Sequence, residues 1–257
     1  MDQLSGSRTN PRTLASPSWF QTQPDSGARY RLFCFPYAGG GSGIFRGWIR
    51  LLQPKIEVIP ALLPGRESRL REPAFTSIDA IVETLSREIV PFLDRPFAFF
   101  GHSMGAMISF NLARRLRAER SIEAEHLFLS GRRAPQLPER DPVIHDLPEP
   151  EFIAEVERLD GTPKEVLENR ELMEILLPML RADFAVCASF NYVPAPPLKT
   201  SITVLGGIRD ESATREKIEG WCAETIGSCS VSMLDGDHFF INQQRDEILR
   251  IINRTLS

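Results

Sequence analysis

Phe97-Ala98-Phe99-Phe100-Gly101-His102-Ser103-Met104-Gly105-Ala106-Met107-Ile108 is the stretch that decides the fold. Its first four residues are an apolar run of strand type. The residues from Ala106 to Leu116 read as a helix. Between the two lies the pattern G-x-S-x-G. Strand, tight turn and helix is the context in which this pattern forms a nucleophile elbow. Flanking glycines keep side chains out of the place where strand and helix approach. The turn then pushes the Ser103 hydroxyl out above the sheet, open to a substrate carbonyl. Ser103 is the candidate nucleophile, and the competing reading is a glycine-flanked serine that closes a turn.

Outward from the elbow, apolar runs alternate with helix-period segments. The pattern predicts strands over 30–35, 57–62, 97–100, 125–130, 201–205 and 229–234. It predicts helices over 44–52, 78–93, 103–118, 213–224 and 243–255. This alternation marks an α/β fold with a mostly parallel central sheet flanked by helices. The rhythm breaks over 135–197, where helices are expected over 149–159 and 170–188, the second kinked at Pro178. A helical insertion placed there reads as a lid over the nucleophile, with Leu176 and Met179 as candidate acyl contacts. The alternative is that these apolar stripes are only the packed faces of ordinary helices.

At 257 residues the chain suits one α/β domain over 19–257. Residues 1–18 are rich in Ser, Thr, Arg and Pro, carry no apolar h-region, and read as a disordered leader rather than a secretory signal. The net charge of −4, with acids and bases interspersed, gives no nucleic-acid surface. No apolar run approaches a membrane span. Cys34, Cys187, Cys222 and Cys229 show no metal-ligand spacing and read as unpaired thiols. Unpaired thiols and the lack of a signal peptide point to a reducing cytoplasm, and a monomer is expected.

A serine hydroxyl needs a base, and the base needs a group to orient it. His238 follows the last predicted strand in a loop before the last helix, where this architecture puts its base. His102 lies inside the elbow and should point away from Ser103, His126 begins a strand, and His145 lies among prolines. The acid should precede the histidine in chain order. Asp210 ends the loop after the strand over 201–205 and is the candidate, with Glu211 its nearest competitor. Asp235 and Asp237 are too close to His238 along the chain to reach its Nδ1 easily. Phe35-Pro36-Tyr37-Ala38-Gly39-Gly40-Gly41-Ser42-Gly43 follows the first strand. It lacks the lysine of a P-loop and, with Ile44 and Arg46, the third glycine of a dinucleotide fingerprint. In an elbow hydrolase such a loop supplies one oxyanion amide, here Ala38, and the residue after the nucleophile, Met104, supplies the other. This chemistry needs no metal and no cofactor.

Phe35-Pro36-Tyr37-Ala38-Gly39-Gly40, Leu63-Pro64-Gly65-Arg66-Glu67, the elbow, Ser130-Gly131-Arg132-Arg133-Ala134-Pro135 and Gly236-Asp237-His238-Phe239-Phe240 together resemble the type II thioesterases. These are free-standing α/β-hydrolases associated with nonribosomal peptide and polyketide synthases. The resemblance spans about residues 30–256. It implies hydrolysis of acyl thioesters from the phosphopantetheine arm of carrier proteins, which removes aberrant or stalled acyl groups. It also implies acylated carrier proteins as partners. Apart from the resemblance, Arg132 or Arg133 are candidate basic residues near the entrance for meeting an acidic carrier surface, and the competing reading is solvent-exposed charge. Tyr37 stands where the family often has histidine, and the acid loop departs from the commoner Gly-x-x-Asp form. Arg66 matches the family, the sequence gives it no physical role, and the bland reading of it is a solvated turn residue. The rival readings are a medium-chain acyl-carrier thioesterase, a carboxylesterase with the same triad, and a non-catalytic acyl-binding protein.

Overall fold

Tyr30–Phe35 forms the first strand, β1, and alternates its side chains between two cores. Leu32 and Cys34 enter one, Phe33 and Phe35 the other. The same alternation divides Phe97 and Phe99 from Ala98 and Phe100 in β3 (Phe97–His102). Burial on both faces explains why these strands read as continuous apolar runs. β2 (Ile56–Pro60), β4 (His126–Ser130), β5 (Ser201–Gly207) and β6 (Cys229–Leu234) complete a sheet of order β2-β1-β3-β4-β5-β6. Every neighbouring pair in it is parallel. The computed structural model describes residues 19–20, 27–52, 54–138, 142–159 and 161–257. The leader expected over 1–18 lies outside the described residues.

The helices follow the strands in turn: α1 (Arg46–Leu52), α2 (Ile78–Glu88), α3 (Met104–Arg120), α4 (Glu149–Arg158), α5 (Lys164–Leu167), α6 (Arg170–Ala188), α7 (Arg215–Glu219), α8 (Phe240–Gln243) and α9 (Arg245–Thr255). α2 and α3 cover one face of the sheet with Ile81, Leu85, Phe110 and Leu112. α1 and α9 cover the other with Trp48, Ile248 and Ile252. Because β2 lies on one side of β1 and β3 on the other, the loops leaving β1 and β3 diverge at a topological switch point, where open α/β sheets hold their sites.

Several expectations change in detail. The helix expected over 78–93 ends at Glu88 and gives way to a 3₁₀ turn, Val90–Phe92. Pro91 inside that turn has no N–H to continue an α-helix. The helix expected over 213–224 is α7 followed by a 3₁₀ turn, Gly220–Glu224. Pro178 is carried within the continuous helix α6. Trp19 and Phe20 are buried in the core, Phe20 bridging to Ala61.

One expectation is corrected. Cys222 and Cys229 are joined in a disulfide, because the 3₁₀ turn sets Cys222 beside the start of the edge strand β6, with the two Cα atoms 5.4 Å apart. Only Cys34 and Cys187 remain as free thiols among the described residues. No helix among these residues is long and apolar enough to cross a membrane.

Candidate active site

Ser103 sits between β3 and α3 with φ 54° and ψ −112°, a conformation that non-glycine residues rarely adopt. Such strain costs on the order of 1–3 kcal/mol and persists only where the surroundings over-determine it. Here they do. A Cβ on Gly101 would lie 2.0 Å from the Gly105 carbonyl oxygen, and one on Gly105 would lie 2.0 Å from that of Phe35. The Ser103 N–H donates to the Ser130 carbonyl at 2.8 Å. The turn is thus wedged between the ends of β1 and β4.

Ser103 Oγ lies 3.0 Å from His238 Nε2, and His238 Nδ1 lies 2.7 Å from Asp210 Oδ2. Asp210 is buried, and its other oxygen accepts from the Ser212 N–H and hydroxyl and from the Ala213 N–H. Burial pushes its carboxyl up. Hydrogen bonding and charge from His238, aided by Ser212 and Ala213, outweigh that and hold it below the usual carboxylate range. With Asp210 ionised, Nδ1 carries the imidazole proton and Nε2 faces the serine hydroxyl. Glu211 is exposed and engages Lys217 through its backbone carbonyl. Asp235 pairs with Arg209 at the surface, and Asp237 accepts from the Phe239 N–H.

His102 points away from Ser103, as expected, but into a defined position. It is fully buried, with Nδ1 2.8 Å from Ser130 Oγ and Nε2 2.8 Å from the His238 carbonyl oxygen. Burial first, and then the charge of His238, lower its pKa to about 3. A neutral ring whose Nε2–H donates to the His238 carbonyl and whose Nδ1 accepts from Ser130 satisfies both contacts. His102 therefore supports the backbone of the loop that carries His238. His126 is buried against Thr203, and burial lowers its pKa to about 4.

The loop after β1 passes beside the elbow, since Gly105 lies against the carbonyls of Phe35 and Pro36. Most of its amides already have acceptors. Gly39 N–H donates to Asp183, Gly40 N–H to Tyr37, and the Ser42 and Gly43 N–H groups to Glu67. Among the described residues, the Ala38 and Met104 amides donate to no protein acceptor. Tyr37 packs edge-on against Phe239 and His102.

Two expectations about arginines are corrected. Arg66 is not a solvated turn residue. It is 5% exposed and pairs with the buried Asp183 of α6. Arg133 is buried and so offers no charge to a docking surface. With the half-buried Arg132 it lines a cavity of about 260 Å³ beside Met107, Phe110, Tyr192 and Trp221. Leu176 and Met179 pack with Phe152, Val156, Met173 and Leu180 in a separate core formed by the inserted helices. Met179 also lines a cleft of about 470 Å³ with Gly65, Ala74, Ile175, Pro178 and Ala182. Among the described residues no cluster of His, Cys, Asp and Glu could hold a metal ion.

The sequence profile of the thioesterase domain matches residues 30–256. The gramicidin S biosynthesis protein GrsT of Aneurinibacillus migulanus is 45% identical over 93% of both chains. The linear gramicidin dehydrogenase LgrE of Brevibacillus parabrevis is 44% identical over 95% of both. Among solved structures, the type II thioesterase BorB from the borrelidin biosynthetic cluster superposes with a TM-score of 0.86 at 32% identity, over 93% of this chain and 98% of that one.

Proposed function

The chain belongs to the thioesterase family, and from that premise we propose that it hydrolyses acyl thioesters held on the phosphopantetheine arm of carrier proteins, clearing aberrant or stalled acyl groups from nonribosomal peptide or polyketide synthases. What supports this reading most is the unbroken run of hydrogen-bond distances from Ser103 through His238 to Asp210 on a strained elbow. Relatives named for gramicidin S biosynthesis and for a borrelidin cluster support the synthase setting.

In this mechanism His238 Nε2 takes the Ser103 proton as Oγ attacks the thioester carbonyl. The Ala38 and Met104 amides receive the developing oxyanion, which fits their lack of another acceptor. Asp210 holds the tautomer and stabilises the imidazolium. Collapse expels the pantetheine sulfur, which takes the proton from His238. Water, deprotonated by His238, then attacks the acyl-serine, and the acyl–Oγ bond breaks to release the acid as His238 returns that proton to Ser103 Oγ. All steps are acyl transfers and proton transfers, so the electron count closes without a cofactor. The insertion carrying α4–α6 acts as the lid, with Leu176 and Met179 toward the acyl chain.

The name of one relative implies hydride transfer instead. The glycine loop does not support carrying that over. A dinucleotide site needs free amides facing the pyrophosphate, and those of Gly39, Gly40, Ser42 and Gly43 are already paired within the protein.

The test is to incubate the protein with a panel of acylated carrier proteins and follow acyl loss by intact mass. Loss should occur with the wild type and not with Ser103→Ala. A higher kcat/KM on a matched oxyester than on the carrier thioester would favour a carboxylesterase and sink the editing role.

A further inference from the structure

Leu63-Pro64-Gly65-Arg66-Glu67 lies between β2 and α2, and the acyl-transfer chemistry above makes no use of it. Its two charged side chains both reach the glycine loop. Glu67, held in the left-handed region at φ 51°, accepts from the Ser42 N–H at 3.1 Å, the Ser42 hydroxyl at 2.7 Å and the Gly43 N–H at 3.0 Å. Arg66 donates from Nη1 to the Gly40 carbonyl at 2.7 Å. The same guanidinium donates to both oxygens of Asp183, at 2.8 and 2.6 Å. Asp183 belongs to α6, and its Oδ2 also accepts from the Gly39 N–H at 2.7 Å. One turn earlier on α6, Leu180 presses on the same residue. A Cβ on Gly39, whose φ is +82°, would lie 2.7 Å from Leu180 Cδ2.

The turn Gly39–Gly40 is therefore gripped at its N–H and at its C=O by a buried ion pair that joins two distant parts of the chain. Gly39 is the residue directly after Ala38. A carboxylate that takes the Gly39 N–H and a guanidinium that takes the Gly40 C=O fix the orientation of the preceding peptide units. The planar, forked guanidinium suits this task because it can meet a carboxylate with two donors and still reach a carbonyl.

We propose that Arg66 and Asp183 are positioning residues that hold the Gly39–Gly40 turn so that the Ala38 amide faces the oxyanion, and that through Asp183 the helix α6 forms a wall of the site joined to that turn. This rests on the reading of Ala38 as an oxyanion donor. A buried ion pair is weak evidence for stability as such, because desolvation offsets its attraction. A geometric role gives it a different signature.

Three measurements test this. In the wild type, hydrogen exchange read by NMR should show the Gly39 amide protected together with the middle of α6, and the Ala38 amide exchanging much faster. Equal exchange at Gly39 and Ala38 would overturn the proposal whatever the variants do. Next, Arg66→Met/Asp183→Leu removes both charges without leaving one unpaired. It should keep a melting temperature near that of the wild type while kcat falls roughly 10–100-fold and KM stays within about threefold, the pattern of an interaction made in the transition state. Asp183→Asn, nearly isosteric, should lie between the two. Last, an alkyl trifluoromethyl ketone of pantetheine forms a hemiketal oxyanion on Ser103, and its inhibition constant should rise in step with the loss of kcat. A folded double variant with kcat and ketone affinity within twofold of wild type would make the pair a packing element only. If Ser103 is not the nucleophile, the ketone will fail on the wild type too, whereas the exchange pattern still reports on the turn.

Discussion

At the elbow, backbone meets backbone. The glycines at 101 and 105 leave no space for a methyl group, and the Ser103 amide is tied to β4. Over α4 to α6, contacts run instead from side chain to side chain. Phe152, Val156, Met173 and Leu180 form their own small core, and Phe152 sits edge-on to Phe184. The insertion reaches the rest of the site at a few points: the Arg66–Asp183 pair, Leu180 against Gly39, and Gly161, where a Cβ would lie 2.4 Å from the Phe239 ring. The two regions therefore differ in what a substitution can do. Where backbone sets the geometry, one atom in the wrong place removes function. Where side chains set it, volume can be exchanged and the outcome is graded.

The sharpest test of the first half is Ser103→Ala. It should fold normally and lose roughly 10³–10⁶-fold in kcat, as serine-triad knockouts do. His238→Ala should lose about as much and the double variant little more, because the two act as a unit. Stopped assays on one acyl-carrier thioester suffice. Losses that multiply in the double variant would mean that the 3.0 Å contact between the two side chains does not operate as a unit.

Next in size, Asp210→Asn should cost about 10²–10⁴-fold in kcat while leaving substrate affinity intact, since the wrong tautomer of His238 would be favoured. Glu211→Gln should stay within about twofold of wild type. The reverse result would show that the buried carboxylate orients the loop and the exposed one assists the base.

These two carboxylates also show what a linear sequence can and cannot carry. Strand β1 and the elbow were legible to within a residue or two because their geometry is encoded in contiguous residues. That Asp210 and His238 come together beside Ser103 was legible because the fold fixes which loop each must occupy. The partner of Arg66 was not. Asp183 lies 117 residues further on, in Leu180-Arg181-Ala182-Asp183-Phe184-Ala185-Val186, where the signal was an acid facing inward from a helix that is otherwise apolar on that side. No local spacing links it to residue 66. The Cys222–Cys229 bridge was missed because it depends on Gly220 ending α7 and folding the chain back onto β6. The supporting role of His102 was missed because its contacts, Ser130 and the His238 carbonyl, come from the end of β4 and from the loop after β6.

His102 and His126 also make the sheet region sensitive to acid. Both are neutral in the fold, with burial lowering their pKa values to about 3 and about 4 from 6.5. Below pH 6.5 the unfolded chain takes up protons that the folded one refuses. Stability is therefore present above the unfolded value and declines as pH falls from 6.5, by up to roughly 1.4 kcal/mol per pH unit for each histidine. The decline from His126 should flatten near pH 4 and that from His102 near pH 3. Urea midpoints measured between pH 7 and 4.5 should fall, and His126→Gln should remove about half of the histidine share of the slope. An unchanged slope in that variant would mean that His126 takes up its proton in the folded protein.

The smallest effects belong to the insertion. Met179 and Leu176 lie one turn apart on α6, Met179 buried and Leu176 half-buried, both within the small core of the inserted helices. If that core borders the acyl chain, then Met179→Trp and Leu176→Trp should shorten the chains accepted and leave turnover of an acetyl thioester nearly intact. One methylene in an apolar pocket is worth only about 1–3 kcal/mol, so the shift should appear as a graded decline in kcat/KM from acetyl to decanoyl and not as a cutoff. Met179 touches a cleft shared with Gly65 and Ala74, beside the arginine that braces the glycine loop, so enlarging it tests wall and pocket together. A decline in the chain-length profile with acetyl turnover held would separate the two, because a displaced oxyanion loop slows every substrate alike. Uniform slowing across all chain lengths would place Met179 with the brace. A profile unchanged in both folded variants would leave the stripes of α4 and α6 as packing among themselves.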